Sequence, residues 1–266
     1  MSDSLSIRSI LGAARRGVLC SLYRRPARLR NREPIVSFTF DDFPRTAYLV
    51  GGSILERYGA RGTYYAAGGL MNTRNQLGEQ FRAEDVDSLL EQGHELASHT
   101  FGHSSCRSVS CEEFCEDVKK GSEAVEDLSG MPSGNFAYPF GHVTLPAKRA
   151  LAASLASARG VFPGCNGPEV DLNLLRANSL YGDLDGAREI EELIAENVQR
   201  NSWLIFYTHD VQAKPSAFGC TPALFEAAVS HAACSGCRIL TVQEALEESG
   251  VQNGNPKGHV RERASV

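Results

Sequence analysis

The sequence of 266 residues contains no apolar run that approaches the roughly 18 residues needed for a membrane-spanning helix. It also lacks a secretory signal, because arginines interrupt the apolar positions near the N-terminus and no cleavage site follows. These two absences predict a cytoplasmic protein. A basic excess is missing as well, since the formal net charge is -5, and this argues against a nucleic-acid-binding domain.

The sequence has eight cysteines but lacks the context that favours disulfides. Disulfide frameworks are typical of short secreted chains, whereas thiols in a chain of this length without a signal stay reduced. The pair Cys234-Ser-Gly-Cys237 has the spacing of two zinc ligands, yet no second pair lies nearby to complete a tetrahedral site. We therefore expect reduced, structural cysteines.

Residues 1–33 form a distinct basic segment with no acidic residue between Asp3 and Glu33. Arginines and apolar residues are interspersed as in an amphipathic helix, which can lie on an anionic membrane surface. The alternatives are a helix that packs on the rest of the protein and a solvated arm. Membrane contact would make the location peripheral, at the inner membrane face.

From residue 34 onward, short β-branched or aromatic runs alternate with longer helical patterns. This alternation predicts the α/β class, with a parallel sheet covered by helices, and about seven units in one run favour a single barrel. One helix is predicted over 146–158, with the next strand beginning at Gly160. We expect the barrel to span 34–248 and the polar tail, 249–266, to be disordered.

Two adjacent carboxylates, Asp41 and Asp42, end the predicted strand over 34–40. Neighbouring side chains of a strand point to opposite faces, so we expect the two acids to have different roles. The carboxyl end of a core strand is where α/β enzymes commonly place their chemistry. Taken alone, an ordinary turn rich in Asp and Pro explains the stretch equally well.

Three later motifs also follow predicted strands. His99 and His103, four residues apart on a predicted helical turn, can bind one metal ion with a carboxylate and leave positions open for water and substrate. The turn Tyr138-Pro139-Phe140-Gly141 can present a backbone N–H to a developing oxyanion. His209 ends a buried strand and is a candidate acid or base.

In their order and spacing, these motifs resemble those of the polysaccharide deacetylase family, a carbohydrate esterase type also called the nodulation-deacetylase homology domain. The resemblance covers residues 34–245 and rests on Thr39-Phe-Asp41-Asp42, His99-Thr-Phe-Gly-His103, Ala137-Tyr-Pro-Phe-Gly141 and Tyr207-Thr-His209. It implies a distorted (β/α)7 barrel of parallel strands with outer helices, in a single domain.

For the site, the resemblance implies that Asp42, His99 and His103 bind a divalent metal ion, usually Zn2+. It further implies that Asp41 is the catalytic base, His209 the catalytic acid and the Phe140 N–H the oxyanion donor. The reaction would be hydrolysis of an N-acetyl group on an amino sugar. The substrate would be an oligosaccharide or a lipid-carrier-linked precursor of surface polysaccharide.

Several positions depart from the family pattern. Phe43 replaces a common Gly, and Tyr207 replaces the usual Leu near the pocket for the acetyl methyl group. These two residues, with Tyr138 and Pro139, are the predicted substrate-binding residues. Ala137 stands where many members have an Arg that pairs with the base, and we expect Arg176 to supply that charge from another loop.

Two other functions stay open. A deformylase, or another amidohydrolase of a non-peptide C–N bond, would use the same residues on a different acyl group or amine. A non-catalytic sugar-binding protein could keep the fold, but loss of a ligand or of the base would then be expected. The sequence retains all of them: Asp41, Asp42, His99, His103 and His209.

Overall fold

The computed structural model describes residues 17–132 and 134–251. Its strands are β1 (Pro26–Arg28), β2 (Ile35–Asp42), β3 (Thr63–Ala66), β4 (Arg74–Asn75), β5 (Gly78–Glu79), β6 (Glu95–Ser98), β7 (Asn135–Ala137), β8 (Ser157–Arg159), β9 (Glu169–Asp171), β10 (Asn178–Ser179), β11 (Trp203–Thr208) and β12 (Arg238–Ile239). Its α-helices are α1 (Ser53–Arg57), α2 (Ala83–Glu91), α3 (Cys111–Ser129), α4 (Leu145–Leu151), α5 (Ala187–Arg200), α6 (Pro222–Cys234) and α7 (Val242–Glu248). Within these ranges no helix has both the length and the apolar character that a membrane crossing requires. All eight cysteines are free thiols.

The central sheet is parallel and curls into a barrel. Its strands lie in the spatial order β10–β11–β2–β3–β6–β7–β8, and β12 pairs with the beginning of β2. Beyond β8, residues 172–175 bond to that strand and lead on to β10, so the two ends of the path approach each other. The predicted distorted (β/α)7 barrel with outer helices is confirmed.

Strand β2 is buried on both faces, as expected for a central parallel strand. On the outer face, Phe38 and Phe40 pack against Phe225 of α6, with ring centroids 5.4 and 5.5 Å apart. The alternate residues Ser37 and Asp41 therefore point into the barrel. The alternation of this strand thus places one of the two adjacent carboxylates in the barrel interior.

The helix predicted over 146–158 is wrong at its C-terminal end. Helix α4 ends at Leu151, and the final predicted residues form β8 instead. The alanine-rich run has high helix propensity, but the Ala158 N–H bonds to the Leu172 carbonyl at 2.7 Å, and pairing in the sheet overrides that propensity. The Arg25 guanidinium donates to the carbonyls that follow α4, those of Ala152, Leu155 and Ala156.

The described part of the basic N-terminal segment packs on the barrel. β1 pairs antiparallel with β9. Lys148, fully buried in α4, donates to the Leu19 carbonyl at 2.7 Å and to Asp171 at 2.6 Å, and Asp171 also accepts the Arg25 N–H. Residues 1–16 of the predicted segment and 252–266 of the predicted tail lie outside the described residues, so the predicted domain boundaries stay predictions.

Helix α3 approaches the loop after β6 so closely that only glycine fits at the contact. A Cβ atom on Gly121 would lie 2.4 Å from the Thr100 carbonyl carbon. Thr100 has a positive φ of 66°, and the next N–H, that of Phe101, bonds to the Asp117 carbonyl of α3 at 3.0 Å. The helix therefore fixes the backbone between His99 and His103.

We expect Gly121→Ala to lower the free energy of unfolding by about 1–3 kcal/mol, because the added methyl group must displace backbone rather than a flexible side chain. Chemical denaturation of the purified protein measures this loss. The control is Lys119→Ala on the exposed face of α3, where a change of at most about 0.5 kcal/mol is expected. Equal losses in the two variants would show that the close contact does not matter.

Candidate active site

The parallel register brings four distant segments to one rim of the barrel. Thr208 pairs with Phe40, so His209 stands level with Asp41 on the neighbouring strand. Ser98 pairs with Ala66, which pairs with Asp42, so His99 follows at the same height. The carboxyl ends of parallel strands form a single edge, and Asp41, Asp42, His99 and His209 converge there.

Asp42, His99 and His103 form a compact cluster, in which one ligand atom of each lies within 4.8 Å of the others. Oδ1 of Asp42 is 3.5 Å from Nε2 of His99 and 3.0 Å from Nε2 of His103. The predicted helical turn is wrong, because Thr100 and His103 have positive φ angles of 66° and 55°. An irregular loop fixed by α3 brings the two imidazoles to the same carboxylate.

These three residues fit a divalent metal ion. Oδ1 of Asp42 is buried without a hydrogen-bond partner in the described structure. Nδ1 of His99 donates to the Ala137 carbonyl at 2.8 Å, which leaves Nε2 as the ligand atom. Burial lowers the pKa of His99 to about 4, so its imidazole is neutral at pH 7. Burial raises the pKa of Asp42, but the neighbouring imidazoles outweigh it and hold the value at about 2.

Asp41 points into the barrel and pairs with Arg159. The Arg159 guanidinium donates to Oδ1 of Asp41, and both side chains are buried. Burial raises the pKa of Asp41, but the positive charge of Arg159 and the nearby histidines outweigh it and lower the pKa below its ordinary value. The guanidinium lies between the rings of Tyr65 and Tyr207, 4.9 and 5.2 Å from their centroids.

The structure does not bring Arg176 to Asp41, so the predicted pairing is wrong. The Arg176 side chain is exposed and donates to the Pro163 carbonyl at 2.8 Å. Arg159 is the register partner of Ala137 on the adjacent strand, so the charge comes from one strand beyond the family position. Arg159 ends β8, but the predicted helix covered the first two residues of that strand, so no strand was predicted to carry this arginine.

Three of the predicted substrate-binding side chains are buried in the core. Phe43, turned inward by a φ of 62°, stacks on Phe81 with centroids 5.0 Å apart. Tyr138 stacks on Phe114, and Pro139 is also buried. The prediction that these three side chains contact a substrate is therefore wrong. Tyr207, the fourth, is half-buried.

Phe140 follows β7 and His209 follows β11, and in the strand order these two strands lie on opposite sides of β2. The Phe140 ring is 59% exposed and its centroid is 4.5 Å from that of His103. The Phe140 N–H has no acceptor among the residues that the structure describes. Nδ1 of His209 donates to the Phe218 carbonyl at 3.1 Å, which leaves Nε2 for other contacts. An electrostatic interaction with His209 contributes to the lowered pKa values of both Asp41 and Asp42.

A parallel barrel whose carboxyl-end rim combines two histidines and a carboxylate with a buried Asp–Arg pair has the arrangement expected of a metal-dependent hydrolase. Residues 28–156 match the sequence model of the family described as polysaccharide deacetylase. This match confirms the predicted resemblance to that family.

Solved structures with the same fold include three carbohydrate-active proteins. The chitin deacetylase of the fungal pathogen Colletotrichum lindemuthianum has a TM-score of 0.59 at 18% identity, over 88% of this chain and 97% of that one. A family 4 acetyl xylan esterase from Clostridium thermocellum, in complex with a cobalt ion, gives 0.58 at 18% identity, over 82% and 93%. The Xyl-CE4 domain of a multidomain xylanase from the hindgut metagenome of Trinervitermes trinervoides gives 0.59 at 18% identity, over 85% and 96%. Among curated proteins, none matches the sequence.

Two arginine variants compare the predicted partner of Asp41 with the observed one. We expect Arg159→Met to lower the free energy of unfolding by about 3–5 kcal/mol, because it leaves the buried Asp41 carboxylate without its counter-charge. We expect Arg176→Met to change it by at most about 0.5 kcal/mol, because that side chain is exposed. Urea denaturation of both variants measures the difference. A larger effect at Arg176 than at Arg159 would contradict the observed pairing.

Proposed function

We propose that this protein is a metal-dependent hydrolase that removes the N-acetyl group from an amino sugar. The observation that carries the proposal is the convergence on one rim of a metal-binding cluster, a carboxylate held by Arg159 and a histidine with an available Nε2. Separately each feature has structural explanations, but together they supply every group that amide hydrolysis requires.

The metal would be held by Asp42, His99 and His103, and we propose Zn2+, which suits nitrogen and carboxylate ligands with an open position. When bound, such an ion polarises an acyl carbonyl and lowers the pKa of water toward neutrality. Asp41 then takes the proton of the attacking water. Arg159 supports this role, because it holds the carboxylate ionised and in one orientation.

Two further groups act on the acyl carbon and on the leaving nitrogen. The Phe140 N–H, which lacks an acceptor among the described residues, donates to the oxyanion of the tetrahedral intermediate. His209, with Nδ1 fixed on the Phe218 carbonyl, gives the proton on Nε2 to the departing amine. An amine leaves poorly without a proton, so this histidine supplies a group that an amide substrate requires.

The proposal also specifies the acyl group and the sugar. We propose acetyl as the acyl group and an oligosaccharide or a carrier-linked precursor as the substrate, since a cytoplasmic enzyme meets precursors rather than finished cell wall. The same residues would act equally on a formyl group. Formate release is therefore measured alongside acetate release.

We expect the metal-loaded protein to release acetate from at least one member of a panel of N-acetylated and N-formylated amino sugars. A chelator should abolish the release, and added Zn2+ should restore it. Asp41→Asn should lower the rate by about a hundredfold to ten-thousandfold, the usual contribution of a general base, while stoichiometric metal binding is retained. Asp127→Asn, an exposed acid of α3, is the matched control and should leave the rate unchanged.

Metal analysis of each sample keeps the alternatives apart. Stoichiometric metal without acetate or formate release, together with sugar binding, would replace the proposal with a non-catalytic sugar-binding protein. Release that persists in the chelated protein would contradict metal dependence.

We also propose that the protein is cytoplasmic and contacts the anionic inner membrane face through residues 1–33. Support comes from three apolar side chains that stay exposed by 45–46%, Val18, Leu22 and Tyr23. The Arg149 guanidinium lies over the Tyr23 ring at 5.6 Å and adds positive charge to this patch. Apolar side chains beside arginines are suited to the interface of an anionic membrane.

Vesicle flotation tests this contact with point substitutions, because Leu19 and Arg25 belong to the folded structure and deletion of the segment would damage it. We expect the protein to float with vesicles that contain anionic lipid and not with neutral ones. The double variant Leu22→Ser/Tyr23→Ser should bind less, whereas Leu49→Ser, which alters an equally exposed residue, should bind normally. Failure of the full chain to float at low salt would end the proposal.

A further inference from the structure

Two aromatic side chains, those of Tyr181 and Phe218, pack around the candidate acid His209. The ring centroids of Tyr181 and Phe218 lie 6.2 and 5.7 Å from that of His209, and 6.1 Å from each other. Phe218 is 48% exposed although it is a large apolar side chain. Tyr181 is half-buried and packs against Tyr207 with ring centroids 5.5 Å apart, and Tyr207 in turn packs on Arg159.

The loop that carries Phe218 is held in one conformation. Asp210, fully buried, accepts hydrogen bonds from the Ser216 N–H at 2.8 Å and from the Ser216 hydroxyl at 2.5 Å. The Ser216 hydroxyl in turn accepts the Phe218 N–H at 3.1 Å. A Cβ atom on Gly219 would lie 2.4 Å from Oδ1 of Asp210, so the turn closes tightly on this carboxylate.

Fixing this loop has two consequences at the rim. The Phe218 carbonyl accepts both the N–H and Nδ1–H of His209, at 3.1 Å each, which orients the imidazole through main-chain atoms. The Phe218 side chain is presented to solvent beside that imidazole. An exposed aromatic ring on a rigid loop is preorganised for a ligand, because little conformational freedom is lost on binding.

From this arrangement we propose that Tyr181 and Phe218 bind the pyranose ring of the amine-bearing sugar. The inference rests on the proposed function, in which His209 protonates the leaving nitrogen. That nitrogen must come within hydrogen-bond reach of Nε2 of His209. The carbon skeleton attached to the nitrogen then lies beside the two rings next to the imidazole, on the opposite side of the nitrogen from the acyl group.

The chemistry of the two rings selects a sugar for this position. A pyranose presents a flat face of C–H groups, which packs on an aromatic face, and hydroxyl groups at its edge. The Tyr181 hydroxyl adds one polar group near this surface. The subsite therefore takes an N-acylated hexosamine ring in preference to the flexible chain of an aliphatic amine.

Binding and turnover of an N-acetylglucosamine trimer test the subsite. Its Kd is measured by calorimetry on the metal-loaded Asp41→Asn protein, which does not consume the ligand, with and without Phe218→Ala. We expect Phe218→Ala to raise the Kd about tenfold, the loss of one aromatic contact, while Phe218→Tyr stays within about twofold. In the protein with Asp41 intact, KM should rise by the same factor and kcat should hold, because the carbonyl that orients His209 is main chain.

Tyr58→Ala is the matched control, since Tyr58 is an exposed aromatic residue (38%) at the end of α1, near the start of β3 and therefore at the opposite end of the barrel. The Kd should not change in this variant. A loss of kcat at constant KM in Phe218→Ala would overturn the subsite and make the ring a support for His209. An unchanged Kd and KM would overturn it as well.

The outcomes also separate this inference from the proposed function. Acyl release by the wild type with a Kd that does not respond to Phe218 retains the function and rejects the subsite. Trimer binding that responds to Phe218, without any acyl release, rejects the function and retains the subsite. Absence of both binding and release rejects both.

Discussion

The ion pair between Asp41 and Arg159 is the constraint on which the rest of the site depends. A carboxylate that is 5% exposed is costly without a counter-charge, and the pair is satisfied only because Arg159 enters the barrel from β8. Small side chains make room for it: Ala97 and Ala137 lie inside the barrel next to Tyr65. The interior is thus shaped around one charged pair, which in turn fixes the acid next to the metal cluster.

Strand geometry gives the two adjacent aspartates different partners. Alternation along β2 turns Asp41 inward to Arg159, while Asp42, at a φ of 63°, turns its carboxylate to the two histidines. If both carboxylates faced the same way, one counter-charge would have to serve two anions. Their separation keeps one acid paired with an arginine and leaves the other with an unpartnered buried oxygen for a cation.

Positive φ angles recur in the loops that carry the site, at Asp42, Phe43, Thr100, His103 and Phe140. Such conformations cost about 1–3 kcal/mol each for residues other than glycine, and they persist only where packing determines them. The Gly121 contact beneath Thr100 and the Phe43–Phe81 stack supply such packing. Packing against the helices and the core therefore holds the metal-binding side chains and the Phe140 N–H in fixed positions. A metal site and an oxyanion donor both require such fixed positions.

Local pattern in the sequence was sufficient for the α/β class, for strand β2 and for the paired histidines, because periodicity and spacing are properties of short segments. The choice of Asp42 as the carboxylate beside His99 and His103 came from the family resemblance. It was not sufficient for Arg159, Phe43 or Tyr138. The pairing of Arg159 with Asp41 depends on the register that sets Arg159 beside Ala137, and that register overrode an alanine-rich helical pattern. The burial of Phe43 and Tyr138 depends on backbone turns and on the partners Phe81 and Phe114 from other elements. Only the tertiary structure decided which side chains face the substrate. The orientation of a side chain depends on the segments that pack around it, and the local sequence does not specify those segments.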